Sequence, residues 1–100
     1  MKPFRFHGLA TQEIRAATAW YAKQREQLPR EFQQEIQSTL FKIQRNPEFF
    51  PVDFEDVRSA LMDRFPFCIY FTMFEEFIWV VAVSHTSREP YYWADRLPET

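Results

Sequence analysis

Residues 65–84 read FPFCIYFTMFEEFIWVVAVS. Phe65, Phe67, Ile69, Phe71 and Met73 alternate with Pro66, Cys68, Tyr70 and Thr72, so one face of an extended segment is wholly apolar. Glu75-Glu76 marks a tight turn without glycine. Phe77 to Ser84 is rich in β-branched and aromatic residues on both faces, which predicts the central, most buried strand of a sheet. The two segments therefore pair as an antiparallel hairpin. The rest of the chain must supply its cover.

Working outward, Val57 to Leu61 reads as a third strand. Before it, Pro47 to Asp56 carries Phe49, Phe50, Pro51 and Phe54, an extended loop that packs by its rings. Further upstream the period becomes helical. Phe32, Ile36, Leu40 and Ile43 share one face of a helix that Pro29 opens and Asn46-Pro47 stops. Ala10, Ile14, Ala17 and Tyr21, with Trp20 beside them, mark another helix over Leu9 to Gln27, with Thr11 at its polar start. Leu28-Pro29 breaks the run, so the two helices form an antiparallel hairpin. Phe4 to His7 alternates and reads as a short strand. After the last strand, Glu89-Pro90 opens Tyr91-Tyr92-Trp93, one helical turn ending near Arg96 and too polar-flanked to be wholly core. The fold class is α+β: an N-terminal strand, an α-helical hairpin, then a three-stranded antiparallel sheet with a short C-terminal helical turn.

One hundred residues make a single domain over positions 1–100. With 19% aromatic residues, twelve of them Phe, the core is dense and disorder is excluded. Cys68 is the only cysteine, which excludes a disulfide scaffold and suits a reducing cytoplasm. The N-terminal Met-Lys-Pro-Phe-Arg-Phe-His has no long apolar run, so neither a signal nor a membrane anchor is expected. A formal charge of −2 gives no general attraction to nucleic acid.

Two histidines and one cysteine lack zinc-ligand spacing, and a single glycine cannot build a phosphate cradle. Cys68, mid-strand among phenylalanines, reads as inert. What remains lies at strand ends. Arg58 and Arg64 sit on successive strands, His85 and Arg88 follow the last strand, and Tyr70 and Trp93 lie within reach if those ends converge. His85 as acid or base, with Arg58 or Arg88 holding a phosphate, would suit phosphodiester cleavage. On composition alone the better reading is structural: the same arginines tie loops to Asp63, Glu75 or Asp95, and His85 satisfies a backbone carbonyl. Glu13, Glu31 and Glu35 read as solvated helix faces.

In order and spacing, several pieces together resemble the RelE/ParE toxin superfamily, its plasmid-stabilisation branch most closely. They are Trp20-Tyr21, the run from Phe32 to Asn46-Pro47, Arg58 with Leu61, Arg64-Phe65-Pro66-Phe67-Cys68-Ile69-Tyr70, Val80 to His85, and Arg88, Pro90, Trp93 and Arg96. The resemblance spans almost the whole chain. It implies a helical hairpin against a curved antiparallel sheet. It also implies a bacterial, cytoplasmic toxin of a type II toxin–antitoxin module, held in a hetero-oligomer by a cognate antitoxin and needing no cofactor or metal. A ParE-like member inhibits a target such as DNA gyrase through protein–protein contact. Arg58, Arg64, Tyr70, Arg88, Trp93 and Arg96 are then the target or partner contacts. A RelE-like member would instead cleave mRNA on the ribosome, with His85, Arg58 and Arg88 as the catalytic candidates. A third reading is a non-toxic scaffold that binds only its antitoxin. The acidic balance of this chain favours the ParE-like branch over work among RNA phosphates.

Overall fold

The computed structural model describes residues 1–97. Strand β1 (Phe4–Phe6) leads into helices α1 (Gly8–Ala22) and α2 (Leu28–Arg45). A 3-10 turn (Pro47–Phe49) precedes strands β2 (Val52–Phe54), β3 (Val57–Leu61), β4 (Phe67–Met73) and β5 (Ile78–His85), and a second 3-10 turn (Ala94–Arg96) follows them.

The helices form for the reasons the periodicity gives. Ala10, Ala17 and Tyr21 of α1 and Phe32, Ile36 and Ile43 of α2 are buried together, and Pro29 lies in the first turn of α2. Two local details differ from expectation. The N-cap of α1 is His7, whose Nδ1 accepts the Leu9 amide at 3.0 Å, rather than Thr11. The helix also ends at Ala22, not Gln27. Beyond Tyr21 the sequence Lys-Gln-Arg-Glu-Gln has nothing to bury, and its amides turn back onto the Trp20 and Tyr21 carbonyls.

The sheet is larger than a three-stranded antiparallel one. It has five strands in the order β1-β5-β4-β3-β2, and it is mixed because β1 runs parallel to β5. The added strand β2 lies in the stretch expected to be a loop. It is three residues long and folds back on β3 through Glu55-Asp56, with Glu55 at φ 51°. So short a strand gives no alternation, and no glycine marks the left-handed turn.

β4 is the geometric middle, while β5 is the more continuously buried strand. A bulge accounts for its two apolar faces. Tyr70 opposes Ala82 but Phe71 opposes Val80, so Val81 is an extra residue. Ile78, Val80 and Val83 therefore join the core under the helices. Val81 and Ala82 both face the other side, where they pack with Val57 and Trp93. The C-terminal segment covers that second cluster. Trp93 is 1% exposed and wholly core, whereas Tyr91 stays at the surface.

Under the helices Tyr21, Phe32, Phe65 and Phe67 form an aromatic knot. Phe32 lies 5.3, 5.2 and 5.1 Å from the other three ring centroids, two of these contacts edge-on. Phe32→Ala removes the ring shared by all three. It is expected to cost about 3–5 kcal/mol, read as a lowered urea midpoint at an unchanged slope. A loss below about 1 kcal/mol would show that the knot is not the main anchor of the hairpin on the sheet.

Candidate functional site

β1 ends after three residues, and its last backbone bond to β5 is His7 N–H to the Val80 carbonyl at 3.0 Å. Past that point the outer edge of β5 would be left unpaired and partly buried, which costs free energy. Two side chains take over from the missing strand. The Val83 amide donates to Glu13 Oε1 at 3.0 Å, and Arg96 Nη1 donates to the Val81 carbonyl at 3.2 Å. Arg96 also grips the same carboxylate twice, Nη1 to Oε1 at 3.0 Å and Nη2 to Oε2 at 2.9 Å. The Tyr92 hydroxyl donates to Oε2 at 2.7 Å. The side chains of Arg96 and Glu13 are only 9% and 17% exposed. Glu13 is thus a largely shielded hub and not a solvated helix residue. Its sequence signal is position: three residues after Ala10 and four before Ala17, inside the apolar stripe of α1.

The clamp sets local proton chemistry. Burial alone would lower the Arg96 pKa, but hydrogen bonding and charge from Glu13 raise it overall. Burial pushes the Tyr92 hydroxyl up, and donation to Glu13 adds to the rise. Two guanidiniums lie close to the Tyr92 ring, Arg88 at 3.8 Å and Arg96 at 5.1 Å from its centroid. Behind it, Tyr70 and Trp93 sit 4.8 Å apart, and Phe54 and Tyr91 extend the aromatic row. The sequence reading missed Phe54 and Tyr91 here, because β2 and the turn at Tyr91 (φ 60°) bring them in from afar.

The structure therefore gathers Tyr70, Arg88, Trp93 and Arg96 on one side. It does not bring Arg58, Arg64 and His85 to them. Arg58 lies opposite Phe71 and donates Nη1 to the Phe50 carbonyl at 2.6 Å, which ties β3 to the segment before β2. Arg64 anchors the β3–β4 loop to α2. Its amide donates to both oxygens of Glu35 at 2.9 and 2.8 Å, and its Nη2 donates to Glu31 at 3.0 Å. Glu31 and Glu35 are thus also more than a solvated face.

His85 lies opposite Phe67, edge-on to its ring. Its Nδ1 accepts the Ser87 amide at 3.0 Å, which leaves the proton of the neutral ring on Nε2. Phe67 and Phe71 are four positions apart on β4, so His85 and Arg58 are separated by about 13 Å along the strand alone.

Cys68 is buried, and burial, the largest influence on it, raises its pKa to about 11, so the thiol is protonated at neutral pH. Among the described residues no three His, Cys, Asp or Glu side chains group as a metal site, and no helix is long and apolar enough to cross a membrane. Two open clefts flank the helices. One of about 530 Å³ is lined by Trp20, Tyr21, Pro66, Phe67 and His85. One of about 640 Å³ lies between α2 and β3.

Glu13→Gln leaves Arg96 buried without a counter-charge, and a loss of about 3–5 kcal/mol is expected in denaturant titration. Glu13→Leu combined with Arg96→Met is expected to be more stable than either single variant, since the doubly apolar pair strands no charge. Additive losses in that double-mutant cycle would mean that the two side chains do not act as a pair.

No family model matches the sequence, and no curated protein matches it. Among solved structures the chain is similar to one from P. aeruginosa described as "Chromosomal ParDE TA system", with a TM-score of 0.69. The match covers 85% of this chain and 96% of that chain at 18% sequence identity. At that identity the likeness is one of fold: the two chains share an α+β architecture, and in this one the sheet is five-stranded and mixed.

Proposed function

We propose that this chain is the toxin component of a type II toxin–antitoxin module of the ParE-like kind. In this reading it acts in the bacterial cytoplasm by protein–protein contact with a target such as DNA gyrase, and a cognate antitoxin neutralises it. The observation that carries the reading is the fold shared with the ParDE chain over 85% of this chain and 96% of that one.

The site geometry favours contact over catalysis. The Arg58 guanidinium is engaged by backbone carbonyls, and His85 Nδ1 is occupied by Ser87. A cleavage site would need both near one phosphate. Arg88 is different. It is exposed, stacked on Tyr92 and makes no ion pair among the described residues, which suits planar recognition of a partner.

Pulse-labelling of new DNA and new protein after induction of the chain alone in a bacterial host tests the proposal. DNA synthesis is expected to fall first. An earlier fall in protein synthesis would favour an mRNA endonuclease with His85 at its centre, and no fall in either would favour a scaffold that binds only its antitoxin. Arg88→Lys keeps the charge but loses the planar stack, so weaker growth inhibition is expected at equal expression and an unchanged melting temperature. Full inhibition by that variant would remove Arg88 from the contact surface.

A further inference from the structure

Among the described residues, one serine hydroxyl meets a base. Thr18, Thr39 and Ser84 donate their hydroxyls to main-chain carbonyls, at 2.7, 2.8 and 3.1 Å. Ser87 Oγ instead lies 2.7 Å from His85 Nδ1. The backbone fixes the direction of that bond. The Ser87 amide can only donate, and it donates to the same Nδ1 at 3.0 Å. Nδ1 therefore carries a lone pair, and the Ser87 hydroxyl points its proton toward it. A hydroxyl held against an adjacent base is the activated form of a serine nucleophile.

The position suits reaction with a small molecule. Ser87 lies in the exposed turn that follows β5, and His85 is exposed with it. Of the other serines, Ser84 is buried and Ser59 half-buried, while Ser38 is exposed but neither histidine bonds to it. His85 also lines the cleft of about 530 Å³, whose remaining walls are Ala17, Trp20, Tyr21, Pro66 and Phe67. A cleft of that size, apolar but for one imidazole, fits an apolar group brought up beside the base.

The backbone limits what can react. A serine hydrolase aims free amides at the developing oxyanion. Here the Thr86 amide serves the Pro66 carbonyl, the Ser87 amide serves His85 Nδ1, and the Arg88 amide serves the His85 carbonyl. None of the three is spare. The pair is thus equipped to take an acyl group from a donor with a good leaving group, and not to cleave amides.

We propose that Ser87 is an acyl-accepting nucleophile with His85 Nδ1 as its base, and that its donors are activated esters of apolar acids. Oγ attacks the ester carbonyl carbon while its proton passes to Nδ1. The tetrahedral adduct collapses, and the bond from carbon to the leaving oxygen breaks. That oxygen departs with the electron pair and takes the proton back from Nδ1. The products are O-acyl-Ser87 and a free alcohol or phenol. The apolar acyl group lies in the cleft beside Trp20, whose ring is 57% exposed. The inference goes beyond the toxin reading and does not depend on it.

The test mixes the full chain with 4-nitrophenyl phenylacetate. Nitrophenolate release is followed by absorbance, and the acyl group is located by mass spectrometry of peptides. A burst of one equivalent per chain is expected, with Ser87 acylated at least tenfold faster than Ser38. Ser87→Ala is expected to remove the burst. His85→Asn retains an acceptor for the amide two residues on but supplies no base, so acylation of Ser87 is expected to slow at least tenfold at an unchanged melting temperature. Thr86→Ala is expected to leave it unchanged.

Rates with 4-nitrophenyl acetate, each ester being scaled to its rate with free imidazole, are expected to be at least threefold lower, and Trp20→Ser is expected to erase that preference. Equal acylation of Ser38 and Ser87, an unchanged rate in His85→Asn, an acyl group on His85 instead, or no acylation of Ser87 overturns the proposal. No preference for the phenylacetate, or one that survives Trp20→Ser, overturns the choice of apolar acids.

Discussion

The architecture depends on how the edge of β5 is finished. β1 supplies only three residues of parallel pairing, and the strand beside it is eight residues long. Without further partners, the outer amide and carbonyl groups past Val80 would be stranded next to a packed helix. The Glu13–Arg96 pair closes that gap with one acceptor and one donor of the right sign. Three distant pieces of chain are joined in doing so: α1, β5 and the C-terminal turn. An isolated buried carboxylate would be strongly unfavourable. Here every interaction drawn to Glu13 is a hydrogen-bond donor, so its burial is compensated.

The bulge at Val81 has a consequence of similar reach. It shifts the inward–outward alternation by one residue, so β5 contributes to the helix-side core at both ends and to the opposite cluster in between. That opposite cluster needs its own cover, and Trp93 provides it. Once Trp93 is seated, Arg96 lies three residues on and next to the open edge of β5, while Arg88 stacks over Tyr92. The aromatic–cationic surface is therefore a by-product of covering a two-faced strand. This is why the candidate contacts Tyr70, Arg88, Trp93 and Arg96 converge while Arg58 and Arg64 serve loops elsewhere.

Much of this was legible in the sequence because periodicity is a local signal. The two helices, the β3 strand and the β4–β5 hairpin follow from the spacing of apolar residues alone. β2 was not legible, because three residues cannot establish a period and its pairing depends on a left-handed Glu55. Nor was the parallel docking of β1, which is decided by where two helices deliver the chain. The site was half legible. The structure gathers Arg88, Trp93 and Arg96, but it buries Trp93 in the second cluster and turns Arg96 onto Glu13 and Val81, and those partners are non-local. Glu13 carried a signal that charge alone hides: a carboxylate within an alanine-rich buried stripe calls for a cation from another segment.

The distribution of arginine bonds ties the structure to the proposed mode of action. Arg58, Arg64 and Arg96 each donate to main-chain carbonyls or carboxylates of their own chain. A guanidinium held in that way is poorly placed to follow charge as it develops on a substrate phosphate, since it would have to abandon partners already bound. Arg88 and Arg45 instead lie over aromatic rings, Arg88 exposed and Arg45 lining a cleft. A planar cation on a ring is pre-organised for recognition at little entropic cost. The two lie at different parts of the molecule, one beside the C-terminal aromatic row and one in the cleft between α2 and β3.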